Sequence, residues 1–238
     1  PDPTYYRKMP SYYSSLYAPD NGEYSGAFTP DYENAEKSKA KFLAHPQIDW
    51  TALYRANQNP IFDGNGTISG YEPAKSKYVL YEDQVEDETV AATTNLSAQL
   101  SENIFLNAGA AFKKLKSHNS QQLLDLLGGS CFEDIDAFYN GDQSQSDLNN
   151  PDRQVGVGDT YGYNYNYFAT TLEAFTQFKF TYNKVDFYLA QHFARADYQR
   201  EGLYKNGIYA TNSFGKSEKV VFENFGFKAG FNLKISGK

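Results

Sequence analysis

The chain has 238 residues, a net charge of −7 with both signs interspersed, and 21 Tyr and 18 Phe against one Trp. That length can bury a core as one all-β domain or as two small ones, and the interspersed charge excludes the basic field that a nucleic-acid partner needs. A lone Cys131 excludes an intramolecular disulfide or a cysteine metal cluster, and His45, His118 and His192 lack metal spacing, so neither a metal nor a cofactor is expected.

No run of about 18 apolar residues marks a membrane helix, and neither a membrane helix nor a signal peptide is expected in this stretch. The chain starts Pro1-Asp2 and reads as a mature product or a piece of something longer. Residues 1–75 lack sustained periodicity and are rich in Tyr, Pro, Asn, Gly and Asp, which predicts loop. The pairs Tyr5-Tyr6 and Tyr12-Tyr13, with Tyr17, suit either a recognition surface or the anchoring of a long loop. Short helices are expected over Glu33–Leu43 and Asp49–Gln58, the second with Asp49 as its cap and Trp50, Leu53 and Tyr54 at helical spacing. Asp63-Gly-Asn65-Gly66-Thr67-Ile68-Ser69 followed by Glu72 resembles part of a calcium loop. Pro60 and Pro73 sit where helices should enter and leave, so a tight Gly-rich turn leading into a strand is the expectation.

From Lys75 the pattern becomes β. Val90, Ala92, Thr94, Leu96, Ala98 and Leu100 alternate with Thr93, Asn95, Ser97 and Gln99. After a turn at Ser101-Glu102-Asn103, the residues Ile104, Leu106, Ala108, Ala110 and Phe112 continue the same apolar face, with Leu100 opposite Ile104. Upstream, Tyr78 to Glu88 extends the first strand, too acidic for an apolar surround. A long connection is expected over 117–160, containing a short helix at Gln121–Leu127 stopped by Gly128-Gly129. Then come two long strands joined at Asn183-Lys184. Phe168, Leu172, Ala174, Phe178, Phe180 and Tyr182 share a face with Val185, Phe187, Leu189 and Phe193, and the opposite face carries Glu173, Lys179, Asp186, Tyr188 and His192. A second polar connection spans 200–217. The last strand sets Val221, Phe225, Phe227, Ala229, Phe231, Leu233 and Ile235 against Asn224, Gly226, Lys228, Gly230, Asn232 and Lys234, and Ser236-Gly237-Lys238 begins another turn.

Alternation alone fits a soluble sandwich as well as a membrane barrel. The connections separate the two, because they are two or three residues long at one end of the strands and far longer at the other, as in transmembrane barrels. The expectation is an all-β, antiparallel transmembrane β-barrel segment of about five strands that does not close on itself. Residues 1–75 would form an extracellular loop or cap region and 76–238 the barrel strands. An odd number of crossings leaves two open edges, whose unpaired backbone groups hydrocarbon cannot satisfy, so the missing strands must come from flanking sequence or other chains.

The strings PDPTYYRKMPSYY from Pro1, QIDWTALYRANQN from Gln47, YVLYEDQVED from Tyr78 and DLLGG from Asp125 carry a resemblance. So do LNNPDRQVGVGDTYGYNY from Leu148, LYKNGIY from Leu203 and NSFGKSEK from Asn212. Together they resemble the middle of the β-barrel of TonB-dependent outer-membrane transporters of the Bacteroidetes, the SusC-like and TonB-dependent receptor superfamily, over nearly the whole chain. The resemblance implies a location in the bacterial outer membrane, a barrel of about 22 strands around an N-terminal plug, and import of a bulky nutrient such as a glycan, peptide or metal chelate. The implied partners are outer-membrane lipid, the rest of the barrel and its plug, TonB through regions outside this stretch, and a surface lipoprotein. Plug and TonB-contact segments are not in this stretch.

Glu173, Lys179, His192 and Lys228 are the candidate lumen-facing residues, either lining a route or bonded as wall residues against a plug. Two other readings stand beside transport: a barrel-type scaffold subunit of a larger outer-membrane complex, and a soluble Tyr-rich β-sandwich binding module. Glu133, Asp134 and Asp136 offer acid pairs, but in a loop without a placed His or Ser, so no enzyme and no catalytic residue is expected.

Overall fold

The computed structural model describes residues 31–44 and 47–235. The tyrosines at positions 5, 6, 12, 13 and 17 and the turn at 236–238 lie outside the described residues. The chain forms two compact units, one of residues up to Leu80 with Asp125–Glu133, the other of Tyr81–Leu124 with Asp134–Lys238.

In the first unit, α1 (Tyr32–Ala44) and α2 (Trp50–Ala56) stand where helices are expected, and Asp49 caps α2 by accepting from the Ala52 amide at 2.9 Å. Where residues up to 75 read as loop, the structure instead has a hairpin of β1 (Gln58–Phe62) and β2 (Ile68–Pro73). Its tip is the Asp63 turn. The Asp63 carboxylate accepts from the amides of Asn65 and Thr67, both at 2.9 Å, and Gly66 takes the positive φ of 77° that a side chain would resist. β3 (Lys75–Ser76) pairs in parallel with β6 (Cys131–Glu133).

Asn57, fully buried, holds this unit together. Its amide nitrogen donates to the carbonyls of Tyr78 at 2.7 Å and Leu126 at 2.8 Å, and its side-chain oxygen accepts from the amides of Lys77 at 2.8 Å and Tyr78 at 3.0 Å. One side chain thereby satisfies buried backbone groups on two chain segments.

The second unit is an antiparallel sheet of long strands, β4 (Leu80–Ser101), β5 (Ile104–Asp125), β8 (Thr160–Thr181), β9 (Val185–Gly202) and β11 (Val220–Leu233). They are ordered β4-β5-β8-β9-β11, and the short β10 (Gly215–Lys216) pairs with the end of β9. The fold is all-β and the sheet is open, with β4 and β11 each having one long neighbour among the described residues.

Two expectations are corrected here. The helix at Gln121–Leu127 is not formed, and the connection expected from 117 starts only after Asp125, because β5 continues past a register shift between Ser120 and Gln121. The shift takes in two extra residues on β8, Gly162 and Tyr163, so the alternation of β5 keeps its parity, with Leu123 buried and Leu124 exposed. Leu123 bonds through its own backbone to Asp159 and Gly158 rather than to a helical turn. Beyond Asp125 the chain holds β6, a 3-10 turn at Gly141–Ser144 and β7 (Gln154–Val155), and β9 runs on to Gly202.

Candidate functional site

The register of the sheet sorts its side chains into two faces. On one face Ile104 lies opposite Phe180, Phe180 opposite Phe187, and Phe187 opposite Phe231, and the next rank runs Leu106, Phe178, Leu189 and Ala229. Further ranks place Ala110, Ala174, Phe193 and Phe225 together, then Phe112 and Leu172. The Ser97 hydroxyl lies 2.8 Å from the Asn107 side-chain oxygen, which sets Leu96, Ala98 and Leu100 of β4 on this same apolar face. Rings stack along it, Phe180 on Phe187 with centroids 4.4 Å apart, and Tyr182 beside Phe187 next to the Asn183-Lys184 turn.

The apolar ranks stop sharply. The rank of Phe112 and Leu172 already ends in an Arg195–Glu223 ion pair at 3.1 Å, and the next rank carries Lys114 and Asp197, the latter paired with Lys219 at 3.3 Å. The band is therefore roughly nine residues tall on each strand, against the about 9–11 with which a tilted strand crosses a bilayer. Nothing among the described residues covers it: Phe225, Phe227 and Phe231 are 73%, 79% and 82% exposed. Five strands about 4.8 Å apart and roughly 27 Å of band height give about 650 Å² in plan, above the largest apolar patch of a typical soluble monomer.

The opposite face is polar, and it carries all four sequence-derived candidates. Glu173 lies opposite Ala194, His192 opposite Phe175 and Gly226, Lys228 opposite Ala190, and Lys179 opposite Tyr188, one on each of four successive ranks. All four are exposed, and none has a side-chain hydrogen bond or ion pair among the described residues. Two aromatic residues stand between them: Tyr188, which the alternation puts on this face, and Phe175, which gave no signal in the sequence. Phe175 lies over Gly109 and Tyr188 over Gly230, so closely that a Cβ on either glycine would come within 2.5 Å of the ring. Glycine–aromatic pairs four or more strand positions from any turn become visible only once the register is known.

At the end of the sheet with the long connections, a buried cluster ties them down. Asp134, its side chain 2% exposed, accepts from the Gly162 amide at 2.8 Å and from the Arg153 guanidinium. Arg153 also donates to the Thr160 carbonyl at 2.6 Å and to the Tyr204 hydroxyl at 2.9 Å, and its guanidinium lies 4.9 Å from the Tyr204 ring centroid. Burial works against the Arg153 charge, yet the bonds to Asp134 and Tyr204 outweigh it and hold the pKa above its ordinary value. Asp134 is thus an arginine partner rather than half of an acid pair, and the Asp136 carboxylate accepts from the Phe138 amide at 3.0 Å. Among the described residues no group of three or more His, Cys, Asp and Glu is placed to hold a metal ion.

No family model matches the chain, and no curated protein matches it.

Proposed function

We propose that this chain is part of the barrel wall of a TonB-dependent transporter of the bacterial outer membrane, one that imports a bulky nutrient. The observation that carries the reading is the uncovered apolar band, as tall as a bilayer crossing, backed by a face of small and charged residues. Water cannot solvate that band cheaply and lipid can. The asymmetry of the connections supports it too. The turns at Glu102-Asn103 and Asn183-Lys184 face the periplasm, and the connections over 126–159 and 203–219 face the exterior. Glu173, Lys179, His192 and Lys228 then line the lumen. The two open edges pair with strands outside this chain, since unpaired backbone in hydrocarbon costs several kcal/mol per group.

The test is depth-resolved quenching in the protein extracted with its own membrane. After Cys131→Ser, single cysteines at Phe227, Ala229 or Phe193 carry a fluorophore that nitroxide-labelled lipid should quench, whereas the same label at Gly226, Lys228 or His192 should not respond. Equal quenching on both parities would overturn the membrane reading.

A further inference from the structure

The two long connections are not separate loops. Within the first, the Asp136 amide donates to the Ser144 carbonyl at 2.6 Å, so residues 136–144 form a tight excursion, and the Gln145 side chain is fixed by Asp152 at 2.7 and 2.8 Å. The second connection is bonded directly onto the first. Lys205 donates to the Asp147 carboxylate at 2.9 Å, Leu148 to the Lys205 carbonyl at 2.7 Å, and Gly207 to the Gln145 carbonyl at 2.9 Å. Gly207 also lies against the Asp142 carbonyl with no room for a side chain, so the two excursions adjoin there. Each ends in a turn closed by its own side chain: Asp136 accepts from Phe138, and Asn206 from Ile208 at 3.0 Å and Tyr209 at 3.2 Å.

These ordered turns present aromatic residues to solvent. Phe138 is 80% exposed and Tyr209 62%, with Tyr139 and Ile208 partly exposed beside them. Rigid, exposed aromatics on a scaffold ordered before contact are the chemistry of a protein-binding hot spot, because little conformational entropy remains to be lost. They project outward, whereas a small molecule is held in a concave site. The exposed acids Asp136 and Asp142 flank Phe138, and no Lys or Arg occurs from 134 to 152, which opposes an anionic lipid surface.

We propose that the joined excursions, centred on Phe138 and Tyr209, dock a partner protein through an apolar pocket rimmed with basic residues. This assignment stands apart from the membrane reading and needs only the geometry of the two connections.

The test places a photoreactive benzoyl-phenylalanine at Phe138, at Tyr209, or at the exposed control Val157, in the full-length protein in its native cells. The expected result is a protein adduct of one mass from both tip positions and none from the control. Phe138→Ala should lower the adduct at 209 about 30-fold, the effect of losing one hot-spot side chain. Asp142→Lys should lower it likewise, with the chymotrypsin-digestion pattern of the connections unchanged. No adduct, an adduct of lipid mass, an equal adduct at Val157, or a yield indifferent to both variants would overturn the proposal. The quenching experiment above reads out independently of all these results.

Discussion

Single polar side chains carry much of the order outside the sheet. Fully buried Asn57 bonds two backbone amides and the carbonyls of Tyr78, Leu126 and Leu127. Asn57→Ala removes all five bonds, with the Leu126 carbonyl keeping the Ser76 hydroxyl and the Gly129 amide, and should destabilise the first unit by about 3 kcal/mol. Asn57→Asp should be no better, because a carboxylate oxygen would then face the Tyr78 and Leu126 carbonyls; faster hydrogen exchange at the Lys77 and Tyr78 amides is the measurement. Arg153 is the counterpart in the second unit. Arg153→Met strands the buried Asp134 charge, a loss of about 3–5 kcal/mol. Trypsin should then cut at Lys205 far faster than in the parent, and unchanged cleavage would show that the cluster does not hold the connections. Neither role could be read from the sequence. Asp134, Arg153 and Tyr204 are brought together from distant positions by the fold itself, and nothing in the local pattern marks them.

At the scale of elements, strand faces were legible and strand ends were not. Alternation across the Asn183-Lys184 turn and through Phe225–Leu233 is a local pattern that the register reproduces rank by rank. At Gln121–Leu127 the leucine spacing and the two following glycines imitate a helix with its stop, whereas the segment extends β5 by pairing Gln121 with Tyr161 and Gln122 with Thr160 of β8, which no local pattern reveals. The parity itself can be tested. Phe227→Arg should cost about 2–4 kcal/mol in a bilayer, and Gly226→Arg much less, read by urea titration of the lipid-embedded protein. The ring over Gly230 gives a further measurement. Gly230→Ala should destabilise by about 1–3 kcal/mol, and in a Tyr188→Ala background most of that penalty should vanish. An additive pair would mean that ring and glycine do not compete for space.

The second unit taken whole is an open sheet whose outer strands each lack a second long neighbour among the described residues. On the membrane reading, protease added to intact cells reaches Lys205 and Lys216 but not Lys184 at the short turn. Cleavage with the reverse sidedness would sink the topology.

The strands also outrun the band. From Phe112 to Asp125, β5 continues for about 40 Å along its axis, past the ion-paired ranks and through the Ser120–Gln121 bulge, before the chain turns. On the membrane reading, selection on that distal stretch is uncoupled from selection on the stretch that meets lipid. Removing or adding residues there in twos changes the height of the docking turns by about 7 Å per step and leaves every face as it was. On that reading, descendants of this chain can vary how far they stand clear of the cell without re-solving how they sit in the membrane.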